Sequence, residues 1–196
     1  GVGTDWGLFF EASNVLSTSG AIKLDGGVRG IVDGYVATNN FGALSTGSSS
    51  SNITVLGDRN WDGSTQVNFK TTGSVTLDSK AADYIAAPSY INHKFDGCSS
   101  VSIGHLSAAY QITVQATATV AGPFSVLGQY VVVNASSSIK TTMAKSAGAT
   151  KNIGILLKAN DKIYVLSAAS FETSGADIVF WSDADNNGVG SMYFAD

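Results

Sequence analysis

The 196-residue chain is poor in charge: only 13% of its residues are charged, whereas 44% are hydrophobic. Soluble domains commonly carry about 25% charged residues, so this protein must meet water through neutral hydroxyl and amide groups. Its 11 basic and 15 acidic residues give a net charge of −4, and Lys and Arg form no cluster. Nucleic acid is therefore an unsuitable partner. The apolar runs are far shorter than the roughly 20 residues of a membrane helix, so no membrane insertion is expected.

Alternation of apolar and polar residues predicts strands along most of the chain. The run 111–120 is the clearest, because Ile112 and Val114 fall on one face while Gln115 and Thr117 fall on the other. In chain order the predicted strands are 30–37, 52–56, 65–70, 74–77, 111–120, 126–134, 152–158, 162–168, 177–182 and 191–194.

Short turn clusters separate these runs, and nothing resembles a βαβ crossover. We therefore predict an all-β protein with very little helix, built as an antiparallel jelly roll or β-sandwich. Residues 79–87 are the best helix candidate, with Ser79 as the cap. The same stretch is the predicted junction between an N-terminal β unit, 1–90, and a C-terminal unit, 91–196; one continuous domain is the alternative.

Two loops have acidic or amide side chains at alternate positions followed by glycine, a spacing that can hold calcium. An EF-hand also needs a Glu at its twelfth position, where these loops have Phe69 and Phe194. Two interpretations stay open: metal-free hairpin turns, or at least one bound calcium ion. The candidate ligands are Asp58, Asn60 and Asp62 in the first loop, and Asp183, Asp185 and Asn187 in the second.

The same loops are the predicted contact surface for a ligand. Aromatic faces stack on sugar rings and anchor protein interfaces, and Trp61 lies inside the first loop. Because loops often carry function, we predict ligand contacts from Trp61, Asn60 and Asn186.

No motif fixes a reaction. His93 and His105 bracket the single cysteine, Cys98, but no local signature of a cysteine–histidine nucleophile is present. The only glutamates are Glu11 and Glu172, so a carboxylate pair for glycoside cleavage is hard to nominate. We predict a protein that is not an enzyme.

The C-terminal third contains YVVVNASSSIKTT, IGILLKANDKIYVLSAAS and DIVFWSDADNNGVGSMYF. The segment from Ile153 to Val165 resembles the penultimate strand pair of trimeric jelly rolls in the complement and tumour-necrosis-factor superfamily. Similar domains occur in bacteriophage fibre and head-fibre tips. Asn160 stands where that family usually has Gly, and the closing strand matches only in its aromatic content. The resemblance implies a homotrimer that is displayed outside a cell or on a virion.

A low-charge surface rich in Ser, Thr and Gly also suits self-association. We therefore expect a non-enzymatic phage or virion surface protein, a fibre, decoration or receptor-binding component, whose partners are itself, virion proteins and a host glycan or receptor. The alternative is a secreted carbohydrate-binding module or adhesin domain whose loops are supported by calcium. No other cofactor is expected.

Overall fold

The computed structural model describes residues 7–10, 12–33, 38–44, 47–58, 66–81, 83–84, 86–144 and 152–196. These residues form 17 strands and no helix, so none of them belongs to a helix that is long and apolar enough to cross a membrane. The strands are β1 (Leu8–Phe10), β2 (Asn14–Leu16), β3 (Ile22–Gly27), β4 (Ile31–Asp33), β5 (Asn39–Gly42), β6 (Ile53–Gly57), β7 (Val67–Lys70), β8 (Ser74–Asp78), β9 (Ser89–Asp96), β10 (Ser100–Ile103), β11 (Gln111–Val120), β12 (Phe124–Val133), β13 (Ser138–Thr141), β14 (Ile153–Val165), β15 (Ser170–Thr173), β16 (Asp177–Trp181) and β17 (Ser191–Phe194).

The strands wind into a parallel β-solenoid with three faces, in which each coil stacks on the coil before it. Face A contains β2, β5, β7, β13, β15 and the second halves of β9 and β11. Face B contains β3, β6, β8, β10, β16 and the first halves of β12 and β14. Face C contains the start of β9, the first half of β11, the second halves of β12 and β14, and β17. In the first coils β1 pairs with β4 in a separate two-stranded sheet.

Inward-facing side chains of successive coils form continuous apolar columns. Residues paired in a parallel register lie on the same side of the sheet, so each column runs the length of its face. Most members are fully buried. The face A column is Val15, Phe41, Phe69, Phe95, Ala118, Ile139 and Phe171, and the face B column is Ile22, Ile53, Val75, Val101, Phe124, Ile155 and Ile178.

The predicted antiparallel jelly roll is wrong, because the registered strand pairs of the described residues are all parallel. The hairpin predicted at Asn187 and Gly188 is also absent: this loop joins β16 to β17, and both strands pair with β14 instead of with each other. A loop of similar composition turns a corner between two faces as readily as it closes a hairpin, since both need residues that tolerate positive φ.

Several predicted strands are confirmed, including the alternation in β11, where Ile112, Val114, Ala116 and Ala118 are buried. The predicted strands 152–158 and 162–168 form one continuous strand, β14. The predicted helix at 79–87 is wrong for its described residues, which form turns and irregular backbone; the Ser79 hydroxyl donates to the Ala81 carbonyl at 2.8 Å. The predicted unit boundary at 90/91 falls inside β9, which pairs with β7 and β11.

Candidate functional site

The outward side of face A carries a row of amide side chains that are hydrogen-bonded from coil to coil. Asn40 Nδ2 donates to Asn14 Oδ1 at 2.8 Å, and Asn68 Nδ2 donates to Asn40 Oδ1 at 2.9 Å. Gln66 Nε2 donates to Asn68 Oδ1 at 2.6 Å. Neighbouring strands lie about 4.8 Å apart, so identical amides at one register position reach each other. The ladder holds these polar groups in fixed orientations.

Two clefts open on this side of the solenoid, and Lys94 lines both. We call their combined lining the amide surface. The larger cleft, of about 480 Å³, is lined by Gln66, Asn92, His93, Lys94, Gln115, Ala116, Thr117 and Ser136. The smaller cleft, of about 220 Å³, is lined by Asn40, Ala43, Asn68, Phe69, Lys70, Lys94 and Asp96.

Another cleft, of about 520 Å³, lies in the first coils between Leu16 and Leu44, and its described lining consists of apolar, Ser, Thr and Gly residues. Its described lining offers hydroxyl groups but no amide or charged side chain, whereas the amide surface offers both kinds to orient a ligand. The amide surface is therefore the stronger candidate, even though this cleft is slightly larger.

His93 lies beneath the larger cleft with its side chain turned into the core. It is buried, and its ring lies against Tyr90 and Phe69 at centroid distances of 5.6 and 5.9 Å. Desolvation lowers the pKa of His93 to about 4, although the hydrogen bond between Nδ1 and the Ile91 carbonyl opposes this shift. The imidazole is therefore neutral near pH 7 and contributes no positive charge to the cleft.

Of the candidate ligands in the first predicted calcium loop, Asp58 belongs to the described residues. Asp58 is fully buried, and its Oδ1 accepts hydrogen bonds from the backbone N–H groups of Lys80 and Ala81, both at 2.7 Å. The carboxylate thus fixes the segment that follows β8. Asn60, Trp61 and Asp62 lie outside the described residues.

The second predicted calcium loop is closed by its own side chains. Asp183 Oδ1 accepts from the Gly188 N–H at 3.0 Å, Asn187 Nδ2 donates to Asp185 Oδ2 at 2.8 Å, and Asn187 Oδ1 accepts from the Val189 N–H at 2.8 Å. Asn186, predicted to contact a ligand, is exposed with a φ of 57°.

Asp58 follows β6 and the second loop follows β16. The strands β8, β10, β12 and β14 lie between β6 and β16 on face B, so the fold separates Asp58 from the second loop. Within the described ranges, no group of three or more His, Cys, Asp or Glu side chains is arranged to hold a metal ion.

Cys98 is buried, and its Sγ faces the carbonyls of Phe69 and Asp96 at 3.9 and 4.0 Å. Burial raises the pKa of this thiol to about 12, so the thiolate required of a nucleophile is scarcely populated. His105 faces elsewhere, with Nδ1 2.6 Å from Asp78 Oδ1.

Gln66, Asn68 and Lys94, the central side chains of the amide surface, were not predicted from the sequence. Their signal was the polar half of the alternation in β7 and β9, together with Asn at comparable positions in β2, β5 and β7. No protein-family model, curated protein or solved structure matches this chain. Function must therefore be inferred from the solenoid itself.

Proposed function

We propose that this chain is a non-enzymatic binding protein that presents the amide surface to a neutral glycan. The observation that carries the proposal is the pair of clefts that share Lys94 and are lined by Asn, Gln, Thr and Ser side chains. An amide offers both donors and acceptors, which suits the hydroxyl groups of a sugar. Because the ladder of Asn14, Asn40 and Asn68 is ordered in advance, binding costs less side-chain entropy.

The charge of the amide surface favours a neutral ligand. Lys70 and Lys94 line the smaller cleft together with Asp96, so cations and an anion lie on the same small area. The chain as a whole carries a charge of −4, which opposes the approach of a polyanion. The two clefts cross several coils, an arrangement that suits an extended sugar chain better than a single small molecule.

The chemistry of the clefts supports binding more than cleavage. Most glycoside hydrolases use two carboxyl groups across the scissile bond, whereas the described lining of the two clefts supplies one, Asp96. His93 beneath the larger cleft has a pKa of about 4 because of its burial, so near pH 7 it is not protonated and cannot act as a general acid.

We propose an extracellular or virion-surface location, which the low charge and hydroxyl-rich exterior support. The homotrimer implied by the jelly-roll resemblance is no part of this proposal, because a solenoid replaces the fold on which it depends. The proposal also requires no calcium, although the predicted ligand contact from Trp61 remains compatible with it.

The test is affinity electrophoresis in gels that contain soluble glucan, mannan, galactan or arabinoxylan, comparing Gln66→Ala with Gln111→Ala. The two glutamines are matched: both are exposed, and each donates to the residue two positions on, Asn68 or Thr113. Only Gln66 lines the amide surface. We expect Gln66→Ala to weaken retention about two- to tenfold, the loss of roughly one hydrogen bond, and Gln111→Ala to leave it unchanged.

Lys94→Ala extends this test because Lys94 lines both clefts, and Lys23→Ala on face B is its control. We expect the Lys94 change to weaken binding more than Gln66→Ala. Absence of retention by every neutral polysaccharide, or equal loss in the Gln111 and Lys23 controls, would overturn the proposed function.

A further inference from the structure

Face C carries two tyrosine rings next to each other on its outward side. Tyr164 of β14 and Tyr193 of β17 occupy the same register position, and their ring centroids lie 6.1 Å apart at an angle of 54°. Ile163 is buried and so is Val165, the other neighbour of Tyr164 along the strand, so Tyr164 points outward. At this position β14 is paired on both sides, with β12 and with β17. We call Tyr164 and Tyr193 the tyrosine pair.

The tyrosine pair and the larger cleft lie on one continuous surface. Thr113, Val132 and Tyr164 are joined by register across β11, β12 and β14. Gln115, two positions after Thr113, lines the larger cleft, and β11 passes from face C to face A at a register shift there. Because strands lie about 4.8 Å apart and residues rise about 3.3 Å along a strand, roughly 12 Å separate Gln115 from Tyr164. A short stretch of glycan spans such a distance.

The tyrosine pair supplies a kind of contact that the amide surface lacks. The aromatic side chains in the described lining of the two clefts, His93 and Phe69, are buried and belong to the core. The clefts therefore offer hydrogen bonds to sugar hydroxyls but no exposed ring. A pyranose also has a face of C–H groups, which packs on an aromatic ring. A glycan that reaches Tyr164 finds partners for both its polar and its apolar groups.

Backbone pairing and charge narrow the choice of ligand. Because β14 is paired on both sides at Tyr164, a protein segment finds no free strand edge there, and the ligand contacts side chains alone. The Thr and Val side chains that join the cleft to the tyrosine pair are uncharged. The nearest charged residues on β14, Asp161 and Lys162, have opposite signs, and Lys162 Nζ lies 5.9 Å from the ring centroid of Tyr130. A neutral glycan therefore fits this surface better than an ionic ligand.

We propose that the glycan held at the amide surface continues across the corner to the tyrosine pair, and that it is an extended chain of β-linked pyranose rings. A β-linked chain of glucose or xylose is straight and exposes ring faces along its length, so one chain reaches both places. An α-linked chain such as glycogen curves away within the same distance. This inference rests on the proposed function, and it adds the class of glycan and the two residues that select it.

The test is affinity electrophoresis in gels that contain soluble mixed-linkage β-glucan or glycogen, followed by competition with cellobiose or cellohexaose. We expect the β-glucan to retain the protein at least about fivefold more strongly than glycogen does. Only the longer oligosaccharide reaches both the larger cleft and Tyr164. Cellohexaose is therefore expected to release the protein at a concentration at least about tenfold lower than cellobiose.

Four protein variants locate the contact. Tyr164→Ala and Tyr193→Ala remove one ring each and are expected to weaken retention by β-glucan about five- to twentyfold. Tyr164→Phe keeps the ring and is expected to bind within about twofold of the unaltered protein. Tyr110→Ala is the matched control and is expected to leave retention unchanged, because Tyr110 is an exposed tyrosine that precedes β11, at the end of face C away from the clefts. Unaltered circular dichroism establishes that each variant folds.

The Tyr164→Ala variant is also expected to lose the advantage of cellohexaose over cellobiose. Retention that Gln66→Ala weakens but Tyr164→Ala does not, equal retention by β-glucan and glycogen, or a loss that Tyr110→Ala shares would overturn this inference and leave the proposed function intact. Absence of retention by every neutral polysaccharide would overturn both. A dimer in light scattering that Tyr164→Ala converts to a monomer would also overturn the inference, because it would assign the tyrosine pair to a second copy of this chain.

Discussion

The phenylalanine stack on face A gives the sharpest prediction about stability. Phe69 lies between Phe41 and Phe95 in the inward column, with ring centroids at 5.4 and 5.2 Å and interplanar angles of 23° and 8°. All three rings are buried. The substitution Phe69→Ala therefore removes a complete ring from the middle of the stack and leaves a cavity between two coils.

The expected loss in free energy of unfolding for Phe69→Ala is about 4 to 5 kcal/mol, the upper part of the range for buried phenylalanine, because two ring contacts are lost with the buried area. Phe171 occupies the same column in the last coil, where it is half-buried and contacts Phe180 at 5.1 Å. Phe171→Ala is therefore the matched control, with an expected loss of about 1 to 2 kcal/mol.

The assay is urea denaturation followed by circular dichroism, with Phe69→Leu as a variant of similar apolar character. Leucine keeps most of the volume, so we expect a loss below about 1.5 kcal/mol. If Phe69→Ala cost no more than Phe171→Ala, the inward columns would not be the source of stability, and the argument from the stacked rings would be refuted.

Three further predictions concern single buried sites. The pKa of His93 is about 4 in the folded state, against an ordinary value of 6.5, so the unfolded state takes up a proton before the folded state does as the pH falls. The free energy of unfolding, measured by urea denaturation, is therefore expected to fall by about 3 kcal/mol between pH 6.5 and 4. The variant His93→Gln is expected to abolish this pH dependence. Cys98, with a pKa of about 12, is expected to resist iodoacetamide in the native protein and to react in urea, as mass spectrometry will show. Gly104 has a φ of 70°, and an added Cβ would lie 2.5 Å from the Leu127 carbonyl oxygen, whereas Gly27 has a φ of 59° and open space around it. In thermal melting, Gly104→Ala is expected to lower the free energy of unfolding by about 2 to 5 kcal/mol, and Gly27→Ala by about 1 to 2 kcal/mol.

The sequence predicted strands well but not their direction. Alternation along β11 identifies which residues are buried, and the burial of Ile112 and Val114 confirms it. Alternation has the same period in parallel and antiparallel sheets, so it does not specify the neighbour of a strand. The composition of a corner loop such as 183–188 also matches that of a hairpin.

A solenoid normally has an internal repeat in its sequence. Here the coils differ in length, so no repeat of fixed length is visible. The face B column places Ile22, Ile53, Val75 and Val101 at one position of four successive coils, and the spacing between them is visibly irregular in the sequence. Insertions at the corners change the length of each coil while leaving the stacked strands in register. A search for a fixed period therefore fails, although the columns themselves are continuous.

The candidate site was harder to predict than the fold for a related reason. Lys94 belongs to the coil that follows the coil of Gln66 and Asn68, and only the parallel register, which pairs Asn68 with Lys94, places the three side by side. Trp61 and the aspartate turns were predicted instead, because loops commonly carry function. In a solenoid the outward side of the strands is equally available, and it offers a flatter and more rigid surface.

The inward side chains of the strands provide stability, and the outward side chains provide the proposed binding surface. Buried inward side chains such as Phe69 pack between neighbouring coils, whereas outward side chains such as Lys94 lie on the surface and line the clefts. Since each coil interacts mainly with its neighbours, an outward substitution has little structure to disturb. We therefore expect Lys94→Ala to weaken glycan retention with a change in stability below about 0.5 kcal/mol. A large loss of stability in this variant would mean that the amide surface is a structural ladder, and that retention failed because the coils came apart.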